Sequence, residues 1–363
     1  MPRVGNVQIK PTLWRATKLN EFREDITRYV SSGRVTYDED RAIKMSFAVK
    51  VSDPEVIDPY RDFLAPVLTL VYPDGEVITE QVGLYAVAPP KQSASTQLTR
   101  GDLDGRDLTW LLSVDTLTAP YTVTAGTNRI EAVRIVLNAM GLTRHVIADS
   151  PLTFDSDTTW PPDTSKLDLV NDILGGTGFY TLYMLRDGYL ASMPWRDMES
   201  VQPAVSYATP ALGKVRVIRT VEIDPDPGRI VNQVTVIRDD PAKDPLIAFG
   251  VNDNPASPVS TVTLGITIGR TIKDQNIASQ SEADKLVART LQEAASVYTR
   301  LKLTTTPDPS RNPHEVYELA ISNAAGIVAE GVWWCTGWSV GFTPSDGPMT
   351  HDLNKLVPYR TVA

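Results

Sequence analysis

Cysteine is almost absent from this 363-residue chain, where Cys335 stands alone. One thiol excludes an intrachain disulfide framework and a multi-cysteine metal site. Histidine is nearly as scarce: His145, His314 and His351 are far apart and fit neither HExxH nor another ligand spacing. No metal or cofactor is therefore expected. No apolar run approaches the roughly 18 residues a membrane-spanning helix needs, so stable membrane insertion is not expected either. The opening MPRVGNVQIKPTLWRATK lacks the apolar core of a signal peptide, which predicts folding in a reducing cytoplasm. Positive charge is short too. Thirty-five Lys and Arg against 44 Asp and Glu leave −9, which argues against a broad nucleic-acid-binding surface. There is no GxSxG elbow, P-loop or dinucleotide fingerprint. LGGTGF (174–179) has glycines but follows a helix-like stretch rather than a strand.

What is present is a globular composition, 42% hydrophobic and 22% charged, in a chain long enough for two or three domains. The 27 prolines sit mostly between apolar runs and favour short strands joined by turns. The first third alternates: in IKMSFAVKV, Ile43, Met45, Phe47, Val49 and Val51 share one face, opposite Lys44, Ser46 and Lys50. Pro73-Asp74-Gly75 marks a hairpin between two further strands. Another strand is expected from Ser95 to Leu103.

The middle third changes period. Asn128 and Glu131 read as a capping box before a helix with Ile130, Val133, Leu137 and Met140 inward and Gly141 as its left-handed stop. A second helix begins near Ser165, buries Leu167, Val170, Ile173 and Leu174, and ends at Gly175-Gly176. An aromatic hairpin turning on Asp187-Gly188 follows. The last third returns to strands in KVRVIRTVEI, RIVNQVTVIRD, YTRLKLTTT and GIVAEGVWWCTGWSVGF, with NDNPASPVS (252–260) as a loop. Ser279 and Glu282 cap a helix with Leu286, Val287, Leu291, Ala294 and Ala295 inward.

The candidates for chemistry reduce to ordinary roles. GDLDGRDLTWLL (101–112) crowds Asp102, Asp104 and Asp107 together. Counted from Asp102 as a calcium loop, it has Gly105 at position 4, Arg106 at 5 and Ser113 at 12, so the register fails. The better reading is a strand end running into a short helix, with Asp107 as cap and Gly101 and Gly105 permitting the turn. Asp102/Asp104 and Asp224/Asp226 are the only candidate acid pairs for glycoside cleavage, and both fall in turn-type sequence. Cys335 lies in an aromatic strand and reads as an inert buried thiol. His145 follows a helix C-terminus, where a partly charged imidazole is favourable. Trp333, Trp334 and Trp338 could stack on a sugar. Strict alternation puts Trp334 and Trp338 on one face and Trp333 on the other. No catalytic, cofactor-binding or metal-binding residue is assigned.

Several segments, in order, resemble the bacteriophage tail hub family, the trimeric centre of the tail tip. They are EDITRYVSSGRVTYDEDRAIKMSFAVKV (24–51), GRDLTWLL (105–112), GTNRIEAVRIVLNAMG, KLDLVNDILGGTGFYTLYMLRDGYL, RIVNQVTVIRD and SEADKLVARTLQEAASVYTRLKLTTTPDP. One departure stands out: where the family often has a proline-glycine-aspartate turn after Pro-Asp-Pro, this chain reads RNPHEVYEL. The resemblance implies an α+β, mainly β architecture of two tail-tube-like β-barrel domains with an α/β module between them. The expected division is a first barrel at 1–112, the module at 113–203 and a second barrel at 204–363. That second barrel carries one long helix (279–297), and its early strands are able to return to the first domain. The implied function is a non-enzymatic virion protein, a trimeric hub adapting a sixfold tube to a threefold tip and forming part of the DNA channel. Its implied partners are two further copies, the hexameric tail tube or distal tail protein, the tape measure protein, other tail-tip or fibre proteins, and DNA in transient passage. Such a part sits in the virion after assembly in the host cytoplasm. The alternatives are a carbohydrate-binding module for host recognition and a cell-wall hydrolase.

Overall fold

The computed structural model describes residues 3–4, 7–88, 101–209, 217, 222–224, 230–239, 244–274, 277, 279–296, 299–323 and 326–356. Much of KVRVIRTVEI, the turn after Asp224 with Asp226, and residues 95–100 of the expected strand lie outside the described residues.

The first part contains β1 (Val7–Ala16), β2 (Val30–Asp38), β3 (Met45–Val51), β4 (Phe63–Val71), β5 (Tyr85–Ala88) and β6 (Gly101–Asp107). They pair antiparallel in the order β1-β4-β5-β6-β3-β2. The alternation read in β3 is observed, with Met45, Phe47, Val49 and Val51 all buried. Lys44 departs from it: expected on the solvent side, it is 6% exposed. The cause is an internal counter-ion, Glu39 Oε1, at 2.8 Å. A buried ammonium needs such a partner.

GDLDGRD proves to be strand throughout, with Leu103 and Asp107 inward and Asp102, Asp104 and Arg106 outward. Its glycines are not turn residues. A Cβ on Gly105 would come within 2.9 Å of Tyr85 Cβ, so the position demands close approach rather than a special dihedral. Asp107 does cap the helix α1 (Thr109–Val114), but from one residue before the N-cap, Leu108. Its Oδ1 accepts the Thr109 amide at 2.8 Å and its Oδ2 the Met45 amide at 2.7 Å. One carboxylate thereby ties the helix start to β3.

The middle module contains α2 (Arg129–Ala139), β7 (His145–Ile147), α3 (Lys166–Gly176), β8 (Tyr183–Met184) and β9 (Leu190–Ser192). Asn128 Oδ1 accepts the amides of Ile130 and Glu131, Gly141 takes φ +67, and Ser165 Oγ accepts the Asp168 amide, as the sequence predicts. Ile130, Val133 and Leu137 of α2 and Leu169, Val170 and Leu174 of α3 bury into one core with the β1–β6 sheet. These helices are short and draw their stability from that packing.

The last part contains β10 (Val205–Ala208), β11 (Gln233–Arg238), β12 (Ile247–Val251), α4 (Thr261–Leu264), β13 (Gly269–Asp274) and α5 (Gln280–Ser296). After them come β14 (Arg300–Thr305), β15 (Val316–Asn323), β16 (Gly326–Gly341) and β17 (Met349–Lys355). The loop read at 252–260 is followed by α4, a turn of helix the sequence reading missed, capped by Ser260 on the Thr263 amide. Strands β11–β13 form a sheet of their own, ordered β12-β11-β13, with α5 packed on one face through Val287, Leu291 and Ala295.

The remaining strands join the first part. The end of β2, Arg34–Asp38, pairs antiparallel with Gly337–Gly341 of β16, and β17 and β14 continue from there. One 15-stranded sheet results, and the expected mainly β, α+β class holds. No closed barrel forms among the described residues: the strand path runs from Arg3–Val4 to Glu222–Asp224 without returning to its start. The outer edge of β2 pairs with β16 and joins the two halves.

A bulge between Cys335 and Gly337 corrects the tryptophan reading. One extra residue reverses the alternation beyond it. Trp338 therefore shares the main core with Trp333, while Trp334 faces the smaller cluster on the other side. All three are buried, at 2%, 8% and 2% exposure for Trp333, Trp334 and Trp338, so they offer no sugar-stacking platform.

Candidate interaction site at the sheet junction

The two β halves, the middle module and α5 meet around a cleft of about 980 Å³. Its floor is the sheet where the halves join. Cross-strand register lines up Lys302, Asp352, Gly337 and Asp38 in one row and Arg300, Asn354 and Trp334 in the next. Arg289 and Glu293 of α5 and Arg270 of β13 form the roof, and Asn171 and Thr181 close one side. Six cations (Arg41, Lys44, Arg270, Arg289, Arg300, Lys302) line it against five acids (Asp38, Glu39, Asp40, Glu293, Asp352). That excess of one positive charge sits in a chain of net charge −9.

Several of these charges are paired locally. Arg41 Nε is 2.8 Å from Asp38 Oδ2, and Arg289 Nε is 2.7 Å from Glu293 Oε1. Burial pushes the Asp352 carboxyl up, with Lys302 and Arg300 pulling it down and Asp38 opposing them. Trp334 is different. It is nine-tenths buried, and its Nε1–H has no hydrogen-bond partner among the described residues. A buried donor left without a partner costs roughly 1–3 kcal/mol.

At the edge of the cleft a buried polar knot fastens the parts. Glu39 accepts from Lys44 Nζ and from the Tyr37 hydroxyl. Its Oε2 lies 3.3 Å from His314 Nδ1, outside hydrogen-bond geometry, so that contact is electrostatic only. Burial holds the His314 imidazole down at about 4, so at neutral pH it is uncharged. Burial pushes the Glu39 carboxyl up, but His314, Lys44 and Tyr37 outweigh it and the net shift is down. With His314 neutral, Lys44 is the counter-ion that matters. His314 stacks on Tyr180 at 4.0 Å between ring centroids and meets the edge of Tyr183 at 4.6 Å, binding the middle module to the last part. It takes φ +59 in the turn where the resembled family has proline-glycine-aspartate. A left-handed residue is still needed there, and histidine supplies it at some strain.

The other expected residues lie elsewhere. His351 is fully buried, bonded through Nε2 to Thr305 Oγ1 at 2.9 Å, and burial lowers its pKa to about 3. His145 stands on β7 with Nε2 3.1 Å from Asn138 Oδ1. Burial and then Arg134 lower its pKa, so the charged form is not favoured as the helix-end argument expected. Asp102 and Asp104 face solvent beside Lys50 and Arg106 at 3.9 and 3.2 Å, so they do not converge on a substrate. Cys335 is buried, with its thiol pushed up to about 12 by burial. Asp224 ends a short strand beside β14. Sequence reasoning missed Glu39, Lys44, Trp334 and Arg289 as a group. The available signal was a lysine inside an apolar alternation, with a glutamate five residues before it.

No protein-family model matches the sequence, and no curated protein matches it. Solved structures match the fold. The tail protein from Neisseria meningitidis MC58 superposes with TM-score 0.66 at 14% identity, over 95% of this chain and 96% of that chain. The 43 kDa tail protein of prophage MuSo2 from Shewanella oneidensis gives 0.62 at 13%, over 95% and 98%. Prophage tail protein gp18 from Listeria monocytogenes EGD-e gives 0.55 at 10%, over 96% and 95%. The fold is that of phage and prophage tail proteins. Nearly the whole of each tail protein is covered, so the similarity takes in the joined sheet, the middle module and the 230–296 unit together. At such low identity it is a likeness of fold, and it agrees with the family resemblance in the sequence.

Proposed function

We propose that the chain is a structural hub of a phage tail tip, acting as a homotrimer beneath the hexameric tube or distal tail protein. The observation that carries this reading is the β2–β16 pairing, which fuses two β halves into one continuous sheet. One chain then offers two wall segments, and three chains offer six, a means of matching a threefold tip to a sixfold tube. In this reading 1–112 and 204–363 are the two tube-like parts and 113–203 is the module between them. The tape measure protein and fibre or other tip proteins are further partners. The part is built in the host cytoplasm and resides in the virion, and it performs no chemistry. Three copies at −9 carry −27, which disfavours phosphate adhesion to a channel wall through which DNA passes.

The alternatives have less support. A carbohydrate module resting on Trp333, Trp334 and Trp338 loses its stacking face to burial. A hydrolase resting on Asp102 and Asp104 lacks carboxylates that face each other across a cleft. Sedimentation of the purified chain, alone and with tube protein, tests the reading. The expected species has three times the 39.9 kDa chain mass. A chain that stays monomeric in both settings overturns the trimer.

A further inference from the structure

We infer that the junction cleft receives the acidic loop Asp53–Asp62 of a second copy of this chain, with Tyr60 as the inserted anchor. The inference rests on the trimer reading and names the contact that builds it. The loop, DPEVIDPYRD, carries four acids against one arginine. It is a stiff knob. Ile57 and Asp62 are buried at its base, Arg15 Nη1 donates to Val56 O at 2.8 Å, and Asp62 Oδ2 accepts the Asp58 amide at 2.9 Å. Asp58 Oδ1 in turn accepts the Tyr60 amide at 2.9 Å. On this braced turn Tyr60 stands 84% exposed, the highest exposure among the large exposed apolar side chains of the described residues. A tyrosine protruding from a braced turn is a typical interface anchor.

The cleft is complementary. Its six cations, Arg270, Arg300 and Lys302 among them, exceed its five acids by one, against a net charge of −3 on the loop. Knob and cleft lie at opposite ends of the same strand. The 39–44 turn at the cleft precedes Met45, and the acidic loop follows Val51. The seven residues of β3 separate them by about 23 Å. A chain with knob and socket at opposite ends cannot satisfy both against itself. It makes a heterologous, head-to-tail contact, which closes into a ring when the rotation fits.

Paired cysteines read the contact directly, since native Cys335 is buried and leaves the background clean. Asp58→Cys with Lys302→Cys in one chain, oxidised, is expected to give covalent trimers under denaturing conditions, while each single variant gives none. Tyr60→Ala is expected to weaken self-association roughly 10- to 100-fold. Asp58→Lys and Lys302→Glu each weaken it, and the double swap restores it. All five substitutions fall on the exposed positions Asp58, Tyr60 and Lys302, and circular dichroism checks that each variant keeps the fold. If Tyr60→Ala and Lys302→Glu trimerise with wild-type affinity and no cross-link forms, this contact is wrong while the trimer stands. If the two variants lose only affinity for purified tube protein, the loop serves another partner and the inference falls. A wild-type chain that never associates sinks the trimer and the contact together.

Discussion

The floor and the roof of the cleft are built by opposite strategies. The floor is a sheet whose decisive pairs join the two ends of the chain. Arg34–Asp38 meets Gly337–Gly341, and the Gly33 amide reaches Asp346 Oδ2 at 2.9 Å across 313 residues. The roof, residues 230–296, pairs β11 only with its near neighbours β12 and β13 and encloses a small core around Val234, Val236, Val287 and Leu291. Its sheet has one face under α5, and on the other Ile247 and Phe249 are each 60% exposed. Distant pairing must repay a large loop-closure cost before it stabilises anything, whereas local pairing repays its cost early. The floor therefore stands or falls with the whole chain, while the roof can hold as a unit, clipped to the middle module by Gln292 Oε1 accepting the Met198 amide at 3.0 Å.

The strongest way to break this contrast is Trp338→Ala. The side chain is 2% exposed in the main core against Tyr37, so its loss should cost about 3–5 kcal/mol. Hydrogen exchange is expected to rise first in β2, β16 and β17 and last in α5. Earlier opening of α5 would mean the two cores are not independent.

Acid sharpens the contrast next. His314 and His351 have folded pKa values near 4 and 3 against an ordinary 6.5. The unfolded chain thus binds more protons below pH 6.5, and stability falls as pH drops from there toward 4 and 3. Glu315 runs the other way. Burial raises it from 4.5 to about 7 despite Arg311, so it contributes stability below pH 4.5 that is lost as pH rises through 7. Among these three groups the two imidazoles outweigh the one carboxyl, so together they favour a loss of stability between pH 7 and 4. His351→Gln should make that slope shallower in a melting series. All three groups belong to the floor, so a roof-first acid transition would contradict the picture.

Asn232→Ala is the matching lesion in the roof. Its side chain donates to Ile266 O at 3.0 Å and accepts from the Ile268 amide at 2.7 Å. A loss of about 2 kcal/mol is expected, with faster exchange confined to 230–296. Asp102→Ala should be the mildest, within about 0.5 kcal/mol by denaturant titration, because its pair with Lys50 is surface-exposed and long.

Local structure was legible where the chain's own neighbours decide it. Asn128, Ser165 and Ser279 cap the expected helices, since a cap needs only the next turn of backbone. The turn at Gly75 (φ +88) and the hairpin at Gly188 (φ +82) likewise follow from residue type. Misreadings arose where a partner arrives from far away. Lys44 turned inward to meet Glu39, Gly105 proved to make room for Tyr85, and the bulge beside Cys335 carried Trp338 to the other face. Of the cleft, the sequence announced nothing, because its lining comes from many separate stretches of chain, from Thr36 to Asn354.

The amino-acid order by itself determined the periods, the caps, the turns and the acidic balance, because each depends on residue type and near spacing. Tertiary structure alone decided which edges join, which face each tryptophan takes and which charges gather around the cleft. Those outcomes turn on burial and on strand register between segments up to 300 residues apart, and no local stretch of sequence contains that energy.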